Sequence, residues 1–116
     1  DVGFIGVARD EATHQPKPYV NKLPESLAGR QIIVLDPMLA TGGSLAHTVQ
    51  LLLERGAEGT IIVVCVLAAP EGIELLRQTN ADLAIYTASL DERLTETAFI
   101  WPGLGDAGDR QFGSPA

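Results

Sequence analysis

The sequence has little cysteine and few basic residues. Cys65 is its single cysteine, so no internal disulfide bond can form, which is typical of the reducing cytoplasm, where we expect the protein. Eight lysines and arginines against 15 acidic residues give a formal net charge of −7 at pH 7. This balance argues against nucleic acid as a partner, because no basic patch is available to neutralise phosphates. No hydrophobic run reaches membrane-spanning length and no signal peptide is visible, so we expect no membrane association.

Two common nucleotide-binding motifs are also missing: the Gly-Lys-Ser/Thr of a Walker loop and the Gly-x-Gly-x-x-Gly of a dinucleotide fold. A different strand–loop–helix pattern is present. The apolar residues 32–35 predict a buried parallel strand, Asp36 closes it, and residues 41–44 read Thr-Gly-Gly-Ser before a helical pattern. Glycines allow backbone N–H groups to approach a ligand and a helix N-terminus favours negative charge, so this stretch predicts an anion site. The alternative is an ordinary corner in which Ser44 caps the helix.

Strands and helices alternate along the rest of the chain. Strands are predicted at residues 2–8, 19–24, 32–35, 60–67, 83–87 and 99–101, and helices at residues 44–55 and from Pro70 onward. The first two strands are joined by a hairpin-like loop, and the chain is loop-rich from Asp91 to its end. The alternation predicts an α/β parallel sheet, in which ligands bind at the carboxyl ends of strands.

Length and composition predict a single domain over residues 1–116, with 46% hydrophobic residues for a modest core. The chain begins Asp-Val and its first residues have the pattern of a core strand. We therefore expect it to be the C-terminal part of a longer protein.

Four stretches together resemble the uracil phosphoribosyltransferases of the type I phosphoribosyltransferase family. They are residues 6–13 with Lys-Leu-Pro at 22–24, residues 36–44, residues 68–72 and residues 102–110, in the order of the family. Residues 36–44, Asp-Pro-Met-Leu-Ala-Thr-Gly-Gly-Ser, resemble the family's signature for phosphoribosyl pyrophosphate (PRPP), although most relatives in the wider fold carry two adjacent acids where this chain has Asp-Pro. The resemblance implies the parallel-sheet type I phosphoribosyltransferase fold, lacking its N-terminal part.

The same resemblance implies a glycosyltransferase of pyrimidine salvage, which transfers the 5-phosphoribosyl group of PRPP to uracil N1 to give UMP and pyrophosphate. Mg²⁺ would be carried with PRPP rather than held by a metal site of the chain. Expected partners are PRPP and uracil, GTP as an activator in some members, and further copies of the chain in a homodimer or homotetramer. Two alternatives stay open: a non-catalytic module that senses PRPP or nucleotides, and an inactive truncated fragment of the enzyme.

The site residues also follow from the resemblance. Asp36 and Asp106 are implied as catalytic, Asp36 by accepting hydrogen bonds from the ribose hydroxyls. PRPP binding is implied for Arg9, Asp36, Pro37, Met38, Leu39, Ala40, Thr41, Gly42, Gly43, Ser44 and Asp106. Uracil binding is implied for Ile100, Gly105, Asp106 and Ala107.

Other residues have plainer interpretations. Cys65 is predicted to be a buried strand side chain. His14 is predicted in a loop and His47 on the exposed side of a helix, neither with a metal-ligand partner at useful spacing. Met38 and Leu39 are predicted to pack the loop rather than to touch substrate. Trp101 stacks on a base or belongs to a core or interface, and residues 91–93 form a solvated or subunit-facing turn.

Overall fold

The computed structural model describes residues 1–10, Thr13 and residues 16–114, and only the backbone of Arg9 and Pro16. Part of the predicted hairpin loop, Glu11 and Ala12 of the first family block, and His14 lie outside the described residues. The elements are β1 Phe4–Arg9, β2 Pro16–Lys22, β3 Ile33–Leu35, β4 Met38–Leu39, α1 Gly43–Glu54, β5 Ile61–Ala68, α2 Pro70–Arg77, β6 Leu83–Leu90, β7 Arg93–Leu94, β8 Ile100–Trp101 and α3 Ala107–Phe112.

A parallel sheet forms the centre of the molecule, as predicted. β5 lies in the middle, β6 pairs with one side of it, and β3 and β4 both pair with the other side. Ile33 faces Ile62 and Met38 faces Leu67, so the pairing continues in the same register across the gap between β3 and β4. The predicted loop directly after Asp36 is therefore wrong for residues 38–39. Pro37 has no N–H to donate and interrupts the strand only locally, while its carbonyl still accepts the Val66 N–H at 3.0 Å.

Both long helices cover the same face of this sheet. Each successive crossover, β4–α1–β5 and β5–α2–β6, moves one strand further in the same direction. Right-handed crossovers that move in one direction place their helices on one face. The core lies between this face and the helices, with buried side chains from α1, α2, β4 and β5: Leu39, Leu45, Val49, Leu52, Ile61, Val63, Cys65 and Leu76. The predicted burial of Cys65 is confirmed.

The opposite face of the sheet is apolar and exposed in this chain. We name it the bare face; its members are Ile33, Leu35, Val64, Val66 and Tyr86, with Leu35 76% and Tyr86 62% exposed. Leu35, Val64 and Tyr86 stand side by side on β3, β5 and β6. The predictions that residues 32–35 form a buried strand and that residues 60–67 are buried on both faces are therefore wrong, because helices cover only one face within the described residues.

The first two strands form an antiparallel hairpin apart from the parallel sheet, as the predicted hairpin connection implies. Phe4 and Tyr19 are large and exposed, so the interpretation of residues 2–8 as a core strand is wrong. None of the helices in the described residues is long and apolar enough to cross a membrane.

Candidate functional site

The carboxyl ends of β4, β5 and β6 lie at one edge of the sheet, where parallel sheets bind their ligands. Three connections leave this edge. Residues 40–42, which we name the phosphate loop, lead into α1; Ala69 leads into α2; and Asp91 leads into the β7–β8 hairpin. The Asp91 N–H donates to the Ala68 carbonyl at 2.9 Å and thereby attaches the start of this hairpin to the end of β5.

The N-terminus of α1 behind the phosphate loop has no side-chain cap. Gly42 is the N-cap residue, with φ +85°, and no acidic residue occupies the first turn. The predicted alternative, in which Ser44 caps the helix, is wrong because Ser44 lies inside the helix and is exposed. The Thr41 hydroxyl accepts the Gly43 N–H only at a marginal 3.5 Å. The first N–H groups of a helix lack intrahelical partners, so this end suits an anion.

A backbone-to-backbone contact fixes the phosphate loop. A Cβ at Gly42 would lie 2.8 Å from the Gly72 carbonyl oxygen, and a Cβ at Gly72 would lie 2.4 Å from the Ala40 carbonyl oxygen. Neither position has room for a side chain, and Gly42 also has a positive φ that favours glycine. The first turn of α2 therefore holds the loop in place. This contact joins two of the stretches that carry the family resemblance, residues 36–44 and residues 68–72.

Asp36 lies beside the Pro37 interruption and shares with Val34 the face that the helices cover, because strand side chains alternate. One carboxylate oxygen accepts the Met38 N–H at 3.2 Å. Burial raises the pKa of the Asp36 carboxyl above its ordinary value of 3.8, and the hydrogen bond from Met38 only partly offsets the rise. The fold therefore keeps a carboxylate where it is partly desolvated.

Asp36→Asn is expected to raise the melting temperature at pH 7 and to leave it nearly unchanged at about pH 3. The folded pKa is raised, so the ionised carboxylate destabilises the fold at high pH. This penalty vanishes as pH falls through the folded pKa toward 3.8. Asparagine carries no charge, and its amide oxygen still accepts the Met38 N–H. Thermal unfolding of both proteins at the two pH values tests this; an equal difference at both would contradict it.

The segment predicted to bind uracil, residues 100–107, which we name the base segment, runs from β8 to the start of α3. Ile100 is buried, whereas Gly105 is exposed with φ +73°, and nothing lies within 4 Å of a Cβ added there. A Cβ at Gly103 would lie 2.1 Å from the Ile100 carbonyl oxygen, so the turn admits only glycine there. Asp106 caps α3 by accepting the Asp109 N–H at 2.8 Å. The turn at Gly103 and the start of α3 are thus restrained, and Gly105 between them is open.

Two carboxylates that the sequence did not single out hold the base segment and its hairpin. Asp91 accepts the Ser89 hydroxyl at 2.8 Å and the Gly103 N–H at 3.1 Å and is half-buried, whereas Glu92 and Arg93 are exposed. The prediction of a solvated turn is therefore wrong for Asp91 alone, and the subunit-facing alternative stays a prediction. Glu71, in the first turn of α2, accepts the Leu94 N–H of β7 at 2.9 Å. That hydrogen bond is the largest cause that lowers the pKa of the Glu71 carboxyl. The sequence offered one weak signal for each residue: Asp91 follows a strand, and Glu71 lies in the family stretch at residues 68–72.

The structure places residues 36–44 at the carboxyl edge of the sheet and attaches the base segment to this edge through Asp91 and Glu71. Predictions for four single residues have separate outcomes. Leu39 is 1% exposed, which confirms that its side chain packs, so only its backbone can face a ligand. Arg9 ends β1 in the separate hairpin, and because its side chain is not described its contact with PRPP stays a prediction. The predicted exposure of His47 is wrong: its Nε2 is buried and has no hydrogen-bond partner among the described residues. Trp101 stacks under Arg93, 4.8 Å from the guanidinium carbon to the ring centre.

Comparison with known proteins identifies the family. The family model described as uracil phosphoribosyltransferase matches residues 1–114. The chain belongs to the uracil phosphoribosyltransferase family. The resemblance of its four sequence blocks is thereby confirmed.

Among curated uracil phosphoribosyltransferases, that of Streptococcus thermophilus is 58% identical over 113 residues, that of Enterococcus faecalis 56% over 113 and that of Corynebacterium diphtheriae 53% over 112. Each match covers 97% of this chain but only 53% or 54% of the relative, so the chain spans about half the length of these proteins. The solved structure of the AQ2163 protein from Aquifex aeolicus superposes with a TM-score of 0.84 at 39% identity, covering 96% of this chain and 52% of that one. The parallel-sheet fold of the family is thereby confirmed.

Proposed function

We propose that the natural full-length protein transfers the 5-phosphoribosyl group of PRPP to uracil N1 and releases UMP and pyrophosphate, as a pyrimidine-salvage enzyme. The observation that carries the proposal is one edge of the sheet, where the first turn of α2 contacts both the loop before the uncapped N-terminus of α1 and the β7–β8 hairpin that leads into the base segment. Membership of the uracil phosphoribosyltransferase family supports the same conclusion.

The site handles a strongly anionic substrate although the chain carries a net charge of −7. Hydrogen-bond donors close to the phosphate compensate for this net charge. The N–H groups at the start of α1 and the hydroxyls of Thr41 and Ser44 bind the 5-phosphate of PRPP. Asp36 accepts hydrogen bonds from the ribose 2- and 3-hydroxyls. Its negative charge also favours the positive charge that develops on the sugar as pyrophosphate leaves.

The reaction requires no covalent enzyme intermediate. Uracil N1 attacks the anomeric carbon while the bond to pyrophosphate breaks, so the residues of the site act by positioning and by electrostatic stabilisation. The base segment presents mostly backbone groups to uracil, with Ile100, Gly105, Asp106 and Ala107 around the ring. On the family resemblance Asp106 also acts on PRPP; it is exposed while one of its carboxylate oxygens accepts the Asp109 N–H.

Magnesium fits this site as part of the substrate. Within the described residues no group of three or more histidine, cysteine or acidic side chains is arranged to hold a metal ion. On the family resemblance, we propose that Mg²⁺ arrives on the pyrophosphate of PRPP, where it would neutralise charge on the leaving group.

The direct test is formation of UMP by the natural full-length product from uracil, PRPP and Mg²⁺. Turnover that disappears in Asp36→Ala would support the proposal. PRPP binding without turnover would favour the sensing module. Activity that is absent from residues 1–116 but present in the full-length product would identify this chain as an inactive portion.

On the family resemblance we also propose a homodimer or homotetramer and activation by GTP. Light scattering tests the oligomeric state, and assays with and without GTP test the activation.

A further inference from the structure

We propose that Glu71 is a positioning residue that ties the base segment to the phosphate loop through the first turn of α2. This inference rests on the proposed function and extends it to a residue outside both predicted binding sets. Its effect is to set the distance and orientation between the two substrates, not to contact either of them.

On the base side, the contact is a hydrogen bond from β7. The Leu94 N–H donates to a carboxylate oxygen of Glu71 at 2.9 Å. Leu94 pairs with Ile100 across the β7–β8 hairpin, and Ile100 is the first residue of the base segment. The side chain of Glu71 therefore reaches the base segment through a single strand pair. Asp91 holds the other end of the hairpin through the Gly103 N–H at 3.1 Å.

On the phosphate side, the contact is made by the next residue of the same helical turn. The backbone of Gly72 lies so close to Gly42 and Ala40 that neither glycine has room for a Cβ. The first turn of α2 thus contacts the phosphate loop through the backbone of Gly72 and β7 through the carboxylate of Glu71. Because packed backbone yields little, a shift of one contact is expected to move the other. Besides Glu71, the base segment is held at this edge by Asp91, which accepts the Gly103 N–H and donates its own N–H to the Ala68 carbonyl, and by the burial of Ile100.

The environment of the exposed Glu71 side chain favours its ionised carboxylate. The Leu94 N–H and its own backbone N–H lower the pKa of the Glu71 carboxyl, and the positive charge of Arg93 lowers it further. A charged acceptor makes a stronger hydrogen bond than a neutral one, so the carboxylate suits the task.

The test uses the natural full-length product and compares Glu71→Ala with Glu71→Gln. Loss of the hydrogen bond in Glu71→Ala is expected to raise the KM for uracil about tenfold. The dissociation constant of PRPP, measured by calorimetry without uracil, is expected to stay within about twofold. Glu71→Gln keeps an oxygen that accepts the Leu94 N–H and is expected to restore most of the uracil KM. Glu74→Ala is the matched control, because Glu74 lies on the same helix in an exposed ion pair with Arg77 at 3.4 Å.

Three kinetic results would overturn the inference: an unchanged uracil KM, equal losses for uracil and PRPP, or a Gln variant as damaged as the Ala variant. Amide hydrogen exchange of residues 93–104, measured without substrates, gives a readout independent of turnover. Faster exchange there in Glu71→Ala but not in Glu74→Ala is expected, and unchanged exchange would overturn the inference. A wild-type protein without turnover would contradict the proposed function, and the exchange measurement alone would then decide the role of Glu71.

Discussion

Gly42→Ala is expected to weaken PRPP binding by more than about 100-fold, because at least two hydrogen bonds to charged phosphate oxygens are lost, each worth roughly 1.5–3 kcal/mol. The new Cβ would lie 2.8 Å from the Gly72 carbonyl oxygen and cannot be accommodated without moving the phosphate loop away from α2. The N–H groups at the start of α1 would then point away from the phosphate. Isothermal titration calorimetry with PRPP on the natural full-length product measures the effect.

Gly29→Ala is the matched control for this substitution. Gly29 has φ +70°, so alanine there suffers the same kind of backbone strain, but nothing lies within 4 Å of the added Cβ. We expect this variant to lose stability in a thermal melt while its PRPP affinity stays within about threefold of wild type. PRPP affinity of Gly42→Ala within the same threefold range would refute the assignment of residues 40–42 as the phosphate loop.

Uracil is expected to be preferred over cytosine by a factor of about 100 to 10,000 in kcat/KM. In the base segment a backbone N–H would face uracil O4 and a carbonyl would face N3–H. Cytosine reverses both: its amine meets a donor and its bare N3 meets an acceptor. Each mismatch leaves a polar group unpaired against the bound base at a cost of about 1–3 kcal/mol, and two act together. Comparable specificity constants for the two bases would mean that residues 100–107 do not recognise the base.

Substitutions in and beyond the base segment distinguish an effect on uracil recognition from an effect on stability. Gly105→Ala adds a methyl group into the open space beside the base segment, and it is expected to impair uracil use more than PRPP affinity. Gly113→Ala, at φ +80° and also in open space beyond α3, controls for backbone strain. Asp106→Asn is expected to affect both substrates while keeping the cap of α3, since asparagine caps helices as well as aspartate does.

The limits of α1 and the start of α2 could be predicted from the sequence to within a residue, because these limits are local. Helix α3 was not predicted, since the chain was expected to be loop-rich from Asp91 to its end. Gly56 follows α1 with φ +80°, and Pro70 opens α2 at its first turn. Strand β4 could not be predicted, because Pro37 has the local pattern of a strand end. Only the pairing of Met38 with Leu67 on β5 continues the strand, and such pairing is decided by residues distant in sequence.

The position of the candidate site in the fold was predictable from one contiguous motif, whereas the side chains that support it from other elements were not. Residues 36–44 form one motif, and the structure places them at the expected edge of the sheet. Glu71 and Asp91 were missed because each acts on a backbone N–H, 23 and 12 residues further along the chain. Every residue except proline has a backbone N–H, so the sequence does not show which of them a carboxylate binds. Such contacts can be identified only in the folded structure.

The bare face has a thermodynamic consequence. Its side chains, among them Leu35, Val66 and Tyr86, are already hydrated in the folded chain, so unfolding adds little to their contact with water. Exposure of apolar surface is what raises the heat capacity on unfolding. Residues 1–116 on their own should therefore fall below the usual increment of about 12–15 cal/mol/K per residue. Their stability then varies more gently with temperature, and any segment that covers this face would steepen the dependence.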